Sequence, residues 1–226
     1  MFIETENEDS PISNQNNMVN MKVDMNNSEI ENEIKRCIDI EAAAIGKLKN
    51  GLDMDTAVNI VRLIGDCKGR IVLTGCGTSA MAARKIAHTL NCIERPALFL
   101  TPSDAVHGAL GVLREGDLLI LISKGGNTSE LLPLLSAGKT KRVRTVAVTE
   151  NPDSVLGKES DICLKIKVDA EPCRFNMLAT ASTLAVISAF DAICIALMQY
   201  TNYTREQFAV IHPGGAVGDR LLGKVK

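Results

Sequence analysis

Two glycine- and hydroxyl-rich segments, about fifty residues apart, carry the residue types that hold an anion. The first reads Leu73-Thr74-Gly75-Cys76-Gly77-Thr78-Ser79, the second Leu121-Ile122-Ser123-Lys124-Gly125-Gly126-Asn127-Thr128-Ser129-Glu130. Each follows an apolar run and opens a helical pattern. A helix start exposes unpaired N–H groups and the positive end of its dipole, which suits phosphate. In the second segment Ser123, Asn127, Thr128 and Ser129 crowd hydroxyl and amide groups together. A helix cap needs one such group; four match an anion with several acceptor oxygens. The P-loop spacing G-x-x-x-x-G-K-[ST] is absent. Lys124 either adds charge there or is simply solvated.

The first segment is open to three readings. Gly75-Cys76-Gly77-Thr78-Ser79-Ala80 matches the dinucleotide fingerprint. That fingerprint needs an acidic residue at the end of the next strand. Glu94 stands before that strand, and Asp104 stands beyond a Thr101-Pro102 break. The glycines are otherwise structural, or the turn faces a polar ligand with Ser79 as hydroxyl donor.

Candidates for proton transfer are few, since the chain has three histidines. His88 lies in an alanine-rich helical run, where a structural role fits. His107, in Asp104-Ala105-Val106-His107-Gly108, and His212, before Pro213-Gly214-Gly215, sit in loops beside glycines and are better placed for chemistry. Glu130 follows the second glycine segment, where its plain role is to complement a helix dipole. Glu171 lies in Asp169-Ala170-Glu171-Pro172-Cys173-Arg174. The plain reading is a solvated loop charge, yet 167–179 is long for a simple connection and suits a site loop.

The elements that must position these residues follow from periodicity. Apolar spacing predicts a helix over 28–50, with Ser28 and Glu31 as a capping box. A second helix is expected over 53–67, capped by Asp53 or Asp55. Strands are expected at 70–75, 97–101, 117–123, 143–149 and 161–166. Helices are expected near 79–91, 128–138, 153–158, 178–200 and 204–210, with a short helical turn at 106–110. Strands alternating with helices imply a mainly parallel sheet covered on both faces. Residues 1–27 are polar and Asn-rich, and read as a disordered tail before one domain over 28–226.

Composition sets the outer limits. The chain has 226 residues, 46% hydrophobic and only 3% aromatic, so its core is aliphatic. A net charge of −2 leaves no electrostatic footprint for nucleic acid. Seven scattered cysteines suggest reduced thiols and a cytoplasmic location. The apolar stretch 180–198 carries Asp191 at its centre, which favours a buried or subunit-interface helix over a membrane span.

Taken together, 75–79, 123–130, His107-Gly108 with Leu110-Gly111, Glu171-Pro172-Cys173 and His212-Pro213-Gly214-Gly215-Ala216 with Gly218 resemble the sugar isomerase (SIS) domain. More narrowly, they resemble D-arabinose 5-phosphate isomerases, over about residues 30–222. The resemblance implies a three-layer α/β/α sandwich with a five-stranded parallel sheet, and a homotetramer with active sites between subunits. It implies aldose–ketose isomerisation of ribulose 5-phosphate and arabinose 5-phosphate for synthesis of Kdo, a sugar acid of lipopolysaccharide or capsule. Glu171, His212, His107 and Glu130 fall on the family's catalytically important positions. Gly75, Gly77, Thr78, Ser79, Ser123, Lys124, Gly125, Asn127, Thr128 and Ser129 fall on its substrate and phosphate turns. No cofactor and no metal are implied, and the partner is a phosphorylated pentose.

Two departures stand out. Thr78 occupies a position where the family commonly has lysine; Lys124 or Arg174 are candidates to supply that charge. Thr101 replaces a histidine tied to zinc inhibition, so no zinc effect is expected. The chain also looks like the short form without CBS domains, which motivates feedback binding of CMP-Kdo in the same cleft. The alternatives are a non-catalytic module binding a phosphosugar or CMP-Kdo, and an isomerase of sedoheptulose 7-phosphate.

Overall fold

The computed structural model describes residues 25–214 and Gly218. Most of the expected tail, and the end of the His-Pro-Gly-Gly-Ala segment, lie outside the described residues. Five strands form one parallel sheet: β1 (Ile71–Gly75), β2 (Ala97–Phe99), β3 (Leu118–Ile122), β4 (Arg144–Thr149) and β5 (Ile162–Lys165). Their order is β2-β1-β3-β4-β5. The helices are α1 (Asn27–Gly51), α2 (Met54–Asp66), α3 (Gly77–Asn91), α4 (Pro102–Ala105), α5 (Leu132–Thr140), α6 (Val155–Glu159), α7 (Ala181–Tyr200) and α8 (Arg205–Ile211). This is the expected α/β sandwich with a five-stranded parallel sheet.

The central strands are mostly apolar because both faces are covered. Every residue of β1 and β3 is buried. Alternate side chains then feed two cores. Leu73, Ile120, Ile122, Val146 and Val148 pack with Ile60 and Ile64 of α2, Ile86 and Leu90 of α3, and Phe190 and Leu197 of α7. Val72, Leu119, Leu121 and Ala147 pack with Leu134 and Leu135 of α5, Leu156 of α6 and Ala105 of α4. Each large aliphatic side chain so buried contributes about 1.5–3 kcal/mol. Register is direct, with Leu73 beside Ile120 and Ile120 beside Val146.

At the start of β3, away from the site described below, buried Asp117 accepts the backbone N–H groups of Arg70 at 2.8 Å and Arg114 at 2.9 Å. It thereby ties the entries of β1 and β3 together. Helix α7 is long and apolar enough to cross a membrane by composition, but it packs on α2 and α3. Its lone charge, Asp191, pairs with Lys85 of α3.

By its contacts the chain forms two units, Met1–Lys35 and Arg36–Lys226. In the first, Asn26 rather than Ser28 caps α1. The Asn26 carboxamide accepts the Glu29 N–H at 3.0 Å, and the Glu29 carboxylate accepts the Asn26 N–H at 2.8 Å. The capping box therefore stands two residues earlier than expected, and Glu31 pairs with Lys35 instead. In the second unit, helix starts moved at two site segments. The helix after β1 begins at Gly77, so Thr78 and Ser79 lie in its first turn. The helix after β3 begins only at Leu132. Pro133 is the reason: it lacks an N–H and is tolerated only in a first turn, so the helix cannot begin at 128. The expected helical turn at 106–110 is found as a 3-10 turn at Ala109–Val112, and a separate short helix, α4, set by Pro102 at its start, precedes it.

Candidate active site

The strand order creates the site. β1 and β3 are neighbours, yet α3 leaves β1 toward one core and the chain leaves β3 toward the other. A crevice opens at the carboxyl ends of two strands whose connections diverge in this way. Here it is flanked by the 75–79 turn and the 123–129 turn. A cavity of about 90 Å³ lies in it, lined by Thr78, Ser79, Lys124, Thr149, Glu150 and Ser182 together with apolar side chains such as Ile122 and Val148.

Glu171 is the buried charge behind this cleft, 3% exposed and bonded to Lys124 and Ser182 of its lining. Its two oxygens have separate partners. Oε1 accepts the Lys124 ammonium at 2.7 Å and the Ser182 hydroxyl. Oε2 accepts the N–H groups of Thr180 at 3.0 Å and Ser182 at 3.4 Å. The carboxylate thus caps α7, whose Thr180 offers no side-chain cap of its own. Burial raises its affinity for a proton, but the hydrogen bonds from Lys124, Ser182 and Thr180 outweigh burial and hold it below the ordinary glutamate value. Of the two readings of Glu171, the solvated loop charge fails: the charge is internal and paired.

Its loop is fastened from both sides. The Glu171 N–H donates to Asn176 Oδ1 at 2.7 Å. Arg36 of α1 donates to the Pro172 carbonyl, and Lys47 of α1 pairs with Asp169. The Cys173 sulfur accepts the N–H groups of Leu178 at 3.1 Å and Met177 at 3.2 Å, which hold its thiol below the usual range.

The second glycine turn is bonded to itself. Ser123 Oγ and Thr128 Oγ1 are 2.7 Å apart, and Ser123 Oγ also accepts the Gly126 N–H at 3.0 Å. Asn127 Oδ1 accepts the Val155 N–H at 2.9 Å, which joins the turn to α6. Gly126 has φ +72°, a region open to glycine and costly for other residues. Gly125 is exposed. Because α5 starts late, these groups precede the helix instead of standing at its N-terminus. The corresponding helix starts at the cleft are those of α3, which begins at Gly77 with φ +56°, and α7.

Glu130 is separated from Glu171. It is exposed, lies before α5 and not in its first turn, and accepts the Ser129 hydroxyl at 2.8 Å. That bond holds its carboxyl below the ordinary value. It lines a second cavity of about 350 Å³ with Gly75, Cys76, Gly77, Arg84 and Thr101. His107 is exposed on the turn after α4 and does not line the first cleft. His212 ends α8, stacks on Phe208 at 3.9 Å between ring centroids, and has Nδ1 3.0 Å from the Phe208 carbonyl. Arg174 lies over the exposed Phe175 ring at 4.5 Å. Within one chain, then, Thr78, Ser79 and Lys124 line one cleft and Lys124 joins it to Glu171, while Glu130, His107 and His212 stand apart.

Ser182, Thr180, Thr149 and Asn176 escaped the sequence reading. The hydroxyl cluster Thr180-Ala181-Ser182-Thr183, at the head of an otherwise apolar helix, was the available sign. Thr149 Oγ1 donates to the Lys124 carbonyl at 2.9 Å and holds that backbone from β4.

The SIS domain model matches residues 63–196. The chain is 36% identical over 189 residues to the arabinose 5-phosphate isomerase KdsD of Francisella tularensis, covering 83% of this chain and 58% of that protein. It is 36% identical over 192 residues to the arabinose 5-phosphate isomerase KpsF of Escherichia coli CFT073, covering 85% and 59%. The chain thus spans about three fifths of the length of the curated relatives it matches. Among solved structures, a Listeria monocytogenes protein described as a candidate sugar-phosphate isomerase has a TM-score of 0.83 at 57% identity, over 84% of this chain and 100% of that one. An Escherichia coli CFT073 protein in complex with arabinose 5-phosphate has a TM-score of 0.80 at 30% identity, over 84% and 100%. With the sheet order, the two glycine turns and these matches in agreement, the chain belongs to the SIS domain family.

Proposed function

We propose that the chain is an aldose–ketose isomerase interconverting D-ribulose 5-phosphate and D-arabinose 5-phosphate through a cis-enediol. The observation that carries this reading is the buried, ionised Glu171, bonded to Lys124 and Ser182, which line a crevice at the strand ends. The names of the relatives and the arabinose 5-phosphate complex of the Escherichia coli neighbour support the substrate.

The chemistry asks for little else. A base takes the proton from the carbon beside the carbonyl, the C–H pair becomes the C=C of the enediol, and an acid protonates the carbonyl oxygen. The carbon proton then passes to the neighbouring carbon while the other enediol hydroxyl gives its proton to the conjugate base of that acid and becomes the new carbonyl. Glu171 is the candidate base. The phosphate, held by the 123–129 turn and Ser79, fixes register and supplies binding energy for orientation. His107 and His212 would serve ring opening and oxygen protonation from a second copy, which makes the active unit an oligomer, as the family's homotetramer implies. Glu130 would position a partner in that shared site. The product would feed Kdo synthesis in the cytoplasm, with CMP-Kdo as a feedback ligand.

A coupled assay on both pentose phosphates, with EDTA and with added zinc, tests the reading. Turnover in both directions is expected. Ligand binding without turnover would instead support the non-catalytic binding module, which Thr78 in place of lysine favours.

A further inference from the structure

Four polar groups of the proposed phosphate cradle are engaged by protein partners. Ser123 and Thr128 hold each other, the Gly126 N–H is on Ser123, and the Lys124 ammonium is on Glu171. Lys124 is held at its backbone as well as at its ammonium. Its carbonyl accepts Thr149 Oγ1 at 2.9 Å and the Glu150 N–H at 3.0 Å, so its backbone is pinned to the end of β4. Its side chain is 37% exposed, lines the cleft, and ends on a carboxylate with no exposure at all. The Glu171 carboxylate does not depend on this bond for its place, because Thr180, Ser182 and the loop contacts hold it.

We infer that Lys124 is a ligand-operated clasp: the phosphate of an incoming sugar phosphate draws the ammonium away from Oε1 of Glu171 and frees that oxygen to accept a proton. The inference rests on the isomerase reading of the same cleft. A bound phosphate monoester carries a charge of about −1.5 to −2 and three acceptor oxygens, against a single charge on the carboxylate, so it competes well for one ammonium. The Lys124 side chain issues from the turn proposed to hold that phosphate, so the move is a rotation about side-chain bonds with no backbone change.

Removal of the nearest cation makes the carboxylate a stronger base. Oε2 keeps its two N–H donors, and Oε1 keeps Ser182. Among the described residues, the other charged or titratable groups near the loop and the cleft are Glu150, which lines the cleft; Arg36 and Lys47, which engage the loop; and Asp169, Cys173 and Arg174 of the loop itself. None of these is among the Glu171 carboxylate's hydrogen-bond partners, whereas Lys124 is. The empty enzyme therefore carries a weak base, and the phosphate that marks a correct substrate strengthens it. The step moves one proton from carbon to Oε1 and back to the adjacent carbon, so it consumes no co-reactant.

The test follows the Glu171 carboxyl by ¹³C NMR in protein labelled at the glutamate Cδ, assigned by its loss in Glu171→Gln. Titrations are run with and without saturating inorganic phosphate. In wild type, phosphate is expected to move the midpoint up by about one pH unit or more. In Lys124→Met the midpoint starts high and phosphate moves it little. Lys124→Arg, which keeps the charge, keeps the phosphate-dependent shift. Equal shifts in wild type and Lys124→Met, no shift in wild type, or loss of the shift in Lys124→Arg would each overturn the clasp. Turnover of pentose phosphates by wild type is measured alongside. Turnover without the shift sinks the clasp alone, while the shift without turnover sinks the isomerase reading and leaves the phosphate-driven release of Glu171 standing.

Discussion

Gly126 lies so close to Ser154 that a Cβ built on it would stand 1.9 Å from the serine Oγ. That serine is itself occupied, donating to the Asn151 carbonyl at 2.7 Å and accepting the Gly157 N–H at the start of α6. The turn after β3 is therefore pressed onto α6 with no spare volume. Gly126→Ala combines a φ of +72° with this overlap. It is expected to lose about 2–4 kcal/mol of stability by thermal or urea unfolding. Gly125→Ala, where a Cβ meets nothing within 4 Å, is expected to stay near wild type.

Glu171 makes stability depend on pH. Its carboxyl is held below the ordinary value in the folded chain, so the stabilisation is complete above the unfolded glutamate value of about 4.3 and is lost as pH falls through the lower folded value. Glu171→Gln is expected to cost about 1–3 kcal/mol at pH 7, through a weakened cap on α7 and an unpaired Lys124. Urea midpoints measured from pH 7 down to pH 3 should show the two proteins converging at the acid end. A gap that stays constant with pH would remove the carboxylate's role in the fold.

Asp117 holds two backbone N–H groups far from the cleft. Asp117→Ala leaves the Arg70 and Arg114 donors without their acceptor and is expected to destabilise by about 2–4 kcal/mol. Below the unfolding transition, KM and kcat for pentose phosphates should not move.

Thr78 and Lys124 line the same cavity from opposite turns. Under the proposed function, one cation suffices and either turn can supply it. Lys124→Gln is expected to lower kcat/KM by about 10- to 100-fold. Adding Thr78→Lys to that variant should recover part of the loss. No recovery in a folded double variant would mean that the charge must issue from the 123–129 turn.

His107 and His212 stand outside the Lys124–Glu171 cleft of their own chain. A site completed by a second copy predicts complementation. Glu171→Gln and His212→Ala proteins, each inactive alone, should regain measurable turnover after unfolding and refolding together. Turnover that never exceeds the sum of the separate proteins would place all four residues' work within one chain.

Much of the fold is written in local patterns. Five buried strands and the helices between them follow from apolar runs such as Leu118–Ile122 and from helical spacing, and all five strands appear within two residues of their expected ends. What escaped depended on single stereochemical facts or on distant partners. Pro133 delays α5 and so removes the hydroxyl groups of 123–129 from a helix start. Asn26 competes with Ser28 for the cap of α1 and wins because Glu29 completes the reciprocal pair. Glu171 looked like a loop charge because its partners lie 47 residues before it, at Lys124, and at Ser182 beyond the loop, and no local pattern encodes that meeting. The two glycine turns were legible as a pair, but the difference between them was not. The first opens a helix directly, and the second closes on its own hydroxyls.

The crevice between β1 and β3 exists because two connections part toward opposite faces, and this follows from strand order whatever side chains line it. Its floor includes the core residues Ile122 and Val148, whereas Thr78, Lys124 and Ser182 give it polar groups. Folding and recognition thus share Ile122, Val148 and Glu171, while Thr78 and Lys124 lie outside the apolar core. A rim residue can be exchanged to alter which phosphorylated compound is received without redesigning the core, so altered selectivity should be reachable in this chain through a handful of substitutions that leave its melting temperature nearly unchanged.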